Sequence, residues 1–181
     1  MKISIFIALM SCLFIYCSDN KTMDKYKLRE KIEAETLSLD SFKINGVLPF
    51  FSTIEKYEKV LGKPMRIETI NLDEVCVTML KEPDRYLEFG AIRCEAQDKY
   101  VMFLKIDFQK DKNTFLSYKA KRFSSETTFE DFKKQYPIIQ SYEIDEKKQV
   151  MAFLLCPICD DKFYFIFQNG KLVTCEYSMP C

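Results

Sequence analysis

Two stretches of the chain carry the same pattern of apolar and polar positions. Residues 52–61 (STIEKYEKVL) and 127–136 (TTFEDFKKQY) align at an offset of 75 residues, with Thr53/Thr128, Glu55/Glu130 and Lys59/Lys134 identical. Ile54/Phe129, Tyr57/Phe132 and Leu61/Tyr136 are apolar or aromatic in both. They fall at i, i+3 and i+7, which is one face of a helix. Each stretch opens with Ser/Thr-x-x-Glu, the pattern of a capping box in which hydroxyl and carboxylate satisfy free amides at a helix start. Each also ends near a proline that stops a helix: Pro64 after Gly62-Lys63, and Pro137 directly. Two unrelated short helices with good capping chemistry would produce part of this pattern. A repeat explains all of it.

Strand patterns follow each helix. The first set is Met65–Asn71, Val75–Leu80, Arg85–Glu95 and Tyr100–Phe108. In the last of these, Met102, Leu104, Ile106 and Phe108 alternate with Lys105 and Asp107. The second set is Ile138–Ile144, Gln149–Cys156, Lys162–Gln168 and Lys171–Ser178. Turn-forming segments separate the strands. Asn169-Gly170 is the strongest, because a two-residue hairpin turn needs positive φ at both positions. The apolar run Phe163–Phe167 reads as a buried central strand in preference to a ligand groove. The expected fold class is α+β. Two tandem units, 41–113 and 114–181, each contain a short helix followed by an antiparallel β-meander, and they share one curved sheet.

Ahead of these units the pattern is different. Lys2 is followed by an uncharged run from Ile3 to Cys17, and polarity returns at once with Ser18-Asp19-Asn20-Lys21. The apolar run is shorter than the roughly twenty residues that a membrane-crossing helix needs. Residues 1–17 therefore read as an export signal. The segment resembles a bacterial lipoprotein signal, in which a small residue precedes the lipidated cysteine. Ser11-Cys12 has the better local spelling but leaves a very short leader. Cys17 gives a normal leader, although Tyr16 is bulky where the pattern has a small residue. Cys17 is preferred as the lipidation site. Ordinary signal-peptidase cleavage, which would leave a soluble secreted protein, is the alternative. Residues 18–40 are mostly charged and polar and read as a tether.

The residues Phe51–Pro64, and in the second copy Glu126–Pro137, give the order helix, proline stop, antiparallel meander, twice, in an exported chain. This layout resembles the β-lactamase-inhibitor-protein-like fold, a single unit of which occurs in small outer-membrane-assembly lipoproteins. The resemblance implies a concave sheet that binds another protein without a catalytic centre. It carries no particular binding residue onto this sequence.

Composition narrows the chemistry. Lys plus Arg and Asp plus Glu number 27 each, so there is no general electrostatic reason to bind nucleic acid. His is absent, which excludes Ser-His-Asp and Cys-His nucleophile systems, a His base and His-ligated metal. Carboxylates, Lys, Tyr and Cys remain. Once Cys12 is removed and Cys17 carries lipid, Cys76, Cys94, Cys156, Cys159, Cys175 and Cys181 are left, an even set for an oxidising compartment. Cys76 and Cys94 fall in neighbouring expected strands and form a natural pair.

Cys156-Pro157-Ile158-Cys159 admits three readings. It is a structural disulfide framework with Cys175 and Cys181, a zinc site using the same four thiolates, or a redox dithiol. The first is preferred from compartment. A second pair spaced Cys-x5-Cys departs from the usual zinc spacing. A redox motif needs a helix start, whereas a strand pattern follows here. The first copy has Lys81 and Asp84 at the aligned positions. Glu55 and Glu130 read as caps, not as a catalytic pair. Lys119, Lys121 and Arg122 read as a solvated strand face. The expected function is that of a non-enzymatic, lipid-anchored cell-envelope module. It would recognise a protein or envelope component through its sheet face, with no catalytic residue and no resident cofactor. An extracytoplasmic thiol-disulfide enzyme using Cys156 and Cys159 and a zinc-stabilised structural module are the alternatives.

Overall fold

The computed structural model describes residues 39–70, 80, 82–136, 140–145, 148–154 and 162–178, with 140–145 and 148–154 described by their backbone alone. All lie in one compact unit, Thr36–Cys181. The elements up to residue 107 are β1 (Phe42–Ile44), β2 (Leu48–Pro49), β3 (Phe51–Thr53), α1 (Ile54–Leu61), β4 (Arg66–Thr69), β5 (Arg85–Phe89), β6 (Ile92–Gln97) and β7 (Tyr100–Asp107). Then come β8 (Leu116–Tyr118), β9 (Lys121–Phe123), α2 (Phe129–Gln135), β10 (Gln140–Asp145), β11 (Lys148–Leu154), β12 (Lys162–Gln168) and β13 (Lys171–Ser178).

The fold is α+β with antiparallel sheets. The strands form two sheets and not the single shared sheet expected. The larger has the order β10-β11-β12-β13-β7-β6-β5-β4, with β3 against the start of β7; the smaller has the order β2-β1-β8-β9. The small sheet is built from strands of two and three residues, too short to leave a period in the sequence. Each order reads the same way outward from its centre. The final strands β7 and β13 meet in one sheet, through Ile106 opposite Cys175. The opening strands β1 and β8 meet in the other, through Lys43 opposite Ser117.

Both helices are docked alike. The Ile54 N–H donates to the Lys99 carbonyl at 2.9 Å, and the Phe129 N–H donates to the Gly170 carbonyl at 3.0 Å. Each acceptor immediately precedes one of the two central strands of the large sheet, Lys99 before β7 and Gly170 before β13. The residue before each helix pairs with the first residue of that strand, Thr53 with Tyr100 and Thr128 with Lys171. This pairing holds both threonines in extended backbone, with φ −96° and −90°. It also corrects the capping box by one residue. The caps are Thr53, whose Oγ1 accepts from the Lys56 N–H, and Thr128, whose Oγ1 accepts from the Asp131 N–H. Glu55 and Glu130 lie in the first turn instead, where a negative charge suits the positive end of the helix dipole.

Each helix buries its apolar face. Tyr57 of α1 is fully buried, and its hydroxyl group lies 2.9 Å from the Pro49 carbonyl and 3.1 Å from that of Phe50. Phe129 and Phe132 of α2 are buried in the same way. Gly62 ends α1 at φ +82°, with its N–H donating to the Glu58 carbonyl. A Cβ there would meet nothing within 4 Å. Gly62→Ala should therefore cost only the conformational strain of this glycine-only backbone region, about 1–3 kcal/mol in chemical denaturation.

The Asn169-Gly170 turn has φ +51° and +73°, as expected of a two-residue hairpin turn. The expected strand Arg85–Glu95 is instead the β5/β6 hairpin, turning at Gly90 with φ +61°. Phe89 and Ile92 on either side of the turn made the run look continuous. The face assignment of β7 also needs correction. Phe103 is fully buried and stacks on Phe50 at 4.3 Å, whereas Leu104 is only half-buried. A register shift opposite Arg93/Cys94 changes the alternation, so Ile106 and Phe108 return to the core. The expected strand Val75–Leu80 lies outside the described residues except for Leu80.

Aromatic side chains fill the centre. Phe163, Phe165 and Phe167 of β12 are fully buried, with Tyr164 and Ile166 between them half-buried. The run is therefore a core-facing strand with one alternating face. Phe163 lies 5.1 Å from Phe42, 5.4 Å from Phe50, 6.2 Å from Phe103 and 5.1 Å from Phe165. One ring thus ties both sheets together.

Candidate functional site on the outer face of the large sheet

The side chains of β5 and β6 divide between two faces. Leu87, Phe89, Ile92, Cys94 and Ala96 are buried in the core. Alternation places Tyr86, Glu88, Arg93 and Glu95 on the opposite face. Register then extends that face to Arg66 and Glu68 on β4, to Lys105 and Asp107 on β7, and to Thr174 and Glu176 on β13.

These residues form a charge ladder across five strands, in the opposing order Arg66, Glu88, Arg93, Lys105, Glu176, with the cations Arg93 and Lys105 side by side. Arg66 pairs with Glu68. The Arg93 guanidinium lies 3.3 Å from Glu68 and 3.9 Å from Glu88, and sits 4.3 Å above the Tyr86 ring. Lys105 lies 3.7 Å from Glu176. Side chains of Arg93 and Lys105 are 40% and 44% exposed. Pairs this wet contribute about 0–1 kcal/mol each to folding, so they are free to exchange for a ligand's charges. A shallow depression of about 140 Å³ opens among Glu88, Arg93, Lys105, Asp107 and Lys110. Glu95, opposite Tyr86 and Met102 in register, is fully buried. Met102, opposite Glu95, is fully buried as well, so this part of the face is covered; beside it the face can present paired charges and a Tyr–Arg stack to a polar partner.

The cysteines take different positions. Cys94 on β6 and Cys175 on β13 are fully buried free thiols. Burial pushes both thiols well above the usual range, and the neighbouring carboxylates of Glu95 and Glu176 add to this. Strand β7 lies between them, opposing Phe103 to Cys94 and Ile106 to Cys175. Two strand spacings amount to roughly 10 Å, beyond the separation that a disulfide tolerates, so these two cannot pair with each other. In the native reduced protein both should resist iodoacetamide at pH 8, and unfolding should expose them to it. Peptide mapping reads the difference. Cys17, Cys76, Cys156, Cys159 and Cys181 lie outside the described residues. Cys175, which the zinc reading needs as a ligand, faces Phe165 and Ile106 in register. No group of three metal-ligating side chains occurs among the described residues.

The other sequence candidates are also placed. Glu55 and Glu130 are exposed on separate helices. Lys119, Lys121 and Arg122 are exposed at the β8/β9 hairpin, where Arg122 lies 3.9 Å from the Phe115 ring and Lys119 lies 5.2 Å from that of Tyr118. Among the described residues no helix is long and apolar enough to cross a membrane. Sequence reading missed the charge ladder itself. Its members are scattered from Arg66 to Glu176, and only the Arg-x-Glu spelling at Arg66/Glu68 and Arg93/Glu95 hints at it. No known family model, curated protein or solved structure matches this chain.

Proposed function

We propose that this protein is exported, anchored by lipid at Cys17, and binds a protein or other envelope component through the outer face of its large sheet without catalysing a reaction. The charge ladder carries this reading. It spans five strands, includes an Arg–Tyr stack, and is held by pairs too weak to be needed for the fold. In this reading the chain consists of two tandem units, 41–113 and 114–181, as in the β-lactamase-inhibitor-protein-like fold. The matching hydrogen bonds at Ile54 and Phe129 and the centred strand orders of both sheets support the duplication. In the oxidising compartment Cys76, Cys156, Cys159 and Cys181 supply the partners for disulfides, including any made by Cys94 or Cys175.

The test is a photo-cross-linking residue placed at Tyr86, Arg93 or Lys105 of the full-length chain in intact cells. All three positions should yield the same discrete adduct, and Lys121 on the small sheet should not. Arg93→Glu puts a third carboxylate beside Glu68 and Glu88. It should lower adduct yield by at least roughly tenfold, the usual scale for a mispaired interface charge. An adduct insensitive to Arg93→Glu would count against this face.

A further inference from the structure

Strand β4 ends the large sheet, and among the described residues no strand lies beyond it. Apolar side chains are unusually bare here: Ile67, on the core side of the strand, is 62% exposed, Met65 just before the strand is 82% exposed, and Val60 at the end of α1 is 43% exposed. The backbone is bare in the same place. The Ile70 N–H donates to the Asp84 carbonyl across the β4/β5 pair. Alternation therefore turns Glu68 toward β5 and leaves the N–H and C=O of Ile67 facing the open edge. An edge strand of this kind is a template for a further strand.

We propose that the occupant is β4 of a second copy of this chain, paired antiparallel about Ile67. In that register Ile67 opposes Ile67 of the second copy and exchanges both backbone hydrogen bonds with it. Arg66 then opposes Glu68 of the second copy, and Glu68 opposes its Arg66. Residues flanking a hydrogen-bonded pair are the closely spaced ones, so both charge pairs form at short range. Ile67 meets its own image on the other face. Charges on an edge strand ordinarily keep other strands away. Arg66-Ile67-Glu68 does so for most sequences, but it is complementary to itself. The pairing would continue the large sheet across two molecules. It shares Arg66 and Glu68 with the outer face, but its readout is self-association and not the binding of another component there.

Two tagged versions of the full-length chain, co-expressed and solubilised in detergent, test this by co-purification. Wild type should co-purify with wild type. Arg66→Glu alone places Glu opposite Glu68, and Glu68→Arg alone places Arg opposite Arg66. Each should lose at least about tenfold of the co-purified chain with its own kind. Arg66→Glu mixed with Glu68→Arg should recover it, because every opposing pair is then of unlike charge. That recovery requires both variants to be folded. The proposal is overturned if wild type does not co-purify, if either variant self-associates as well as wild type, or if the mixture fails to recover.

Discussion

Phe163→Ala is expected to destabilise the domain by about 3–5 kcal/mol, the cost of deleting a fully buried aromatic ring. For a domain of this size, that corresponds to a fall of roughly 6–20 °C in the unfolding midpoint. The site is severe because of what the ring touches. Phe42 and Phe50 precede α1, Phe103 lies on β7, and Phe165 follows on the same strand as Phe163. The cavity therefore opens where the two sheets meet, and no single element can collapse into it. Unfolding should stay a single cooperative transition, followed equally by circular dichroism and tyrosine fluorescence. Gln168→Ala, at an exposed position on the same strand, should stay within about 0.5 kcal/mol of wild type. Two separate transitions would show that the halves are independent domains and that Phe163 does not join them.

Cys17→Ser should move the protein from the membrane fraction to the soluble fraction and abolish incorporation of labelled fatty acid. Cys12→Ser should do neither. The expectation comes from the polarity switch after Cys17 and from the length of the leader before it. A diacylated cysteine supplies two chains, and each buried methylene adds about 0.8 kcal/mol of membrane affinity. Loss of the anchor is thus a near-complete change in partition. Unchanged labelling in Cys17→Ser together with loss in Cys12→Ser would transfer the anchor to Cys12. No labelling in wild type would favour ordinary cleavage and a soluble secreted protein.

The parts of the fold legible in the sequence are those in which local chemistry and tertiary contact agree. The two helices announce themselves through a threonine, a first-turn carboxylate and apolar positions on one face, and the same threonines are pinned by Tyr100 and Lys171. The β12/β13 hairpin is legible because Asn169-Gly170 can adopt the positive φ that the turn requires. The misreadings have one cause, which is that tertiary context set the outcome. Sheet pairing moved the caps from Ser52 and Thr127 to Thr53 and Thr128. A bulge at Leu104 changed which side of β7 faces the core. Gly90 broke a run whose flanks are both apolar. Strands β1, β2, β8 and β9 are too short to show a period and exist because they pair with one another. The charge ladder was invisible for a related reason. Glu68, Arg93 and Glu176 are distant in sequence, and only the order β4-β5-β6-β7-β13 brings them onto one face.

That face is the centre of the functional account, and cross-linking in intact cells tests it most directly. The full-length chain with a photo-cross-linker at Arg93 should give one discrete adduct in the membrane fraction, shared with Tyr86 and Lys105. It should disappear when Lys105 carries the probe and Arg93 is changed to Glu. The same adduct from Lys121, or no adduct from any of the three outer-face positions at native abundance, would contradict the account.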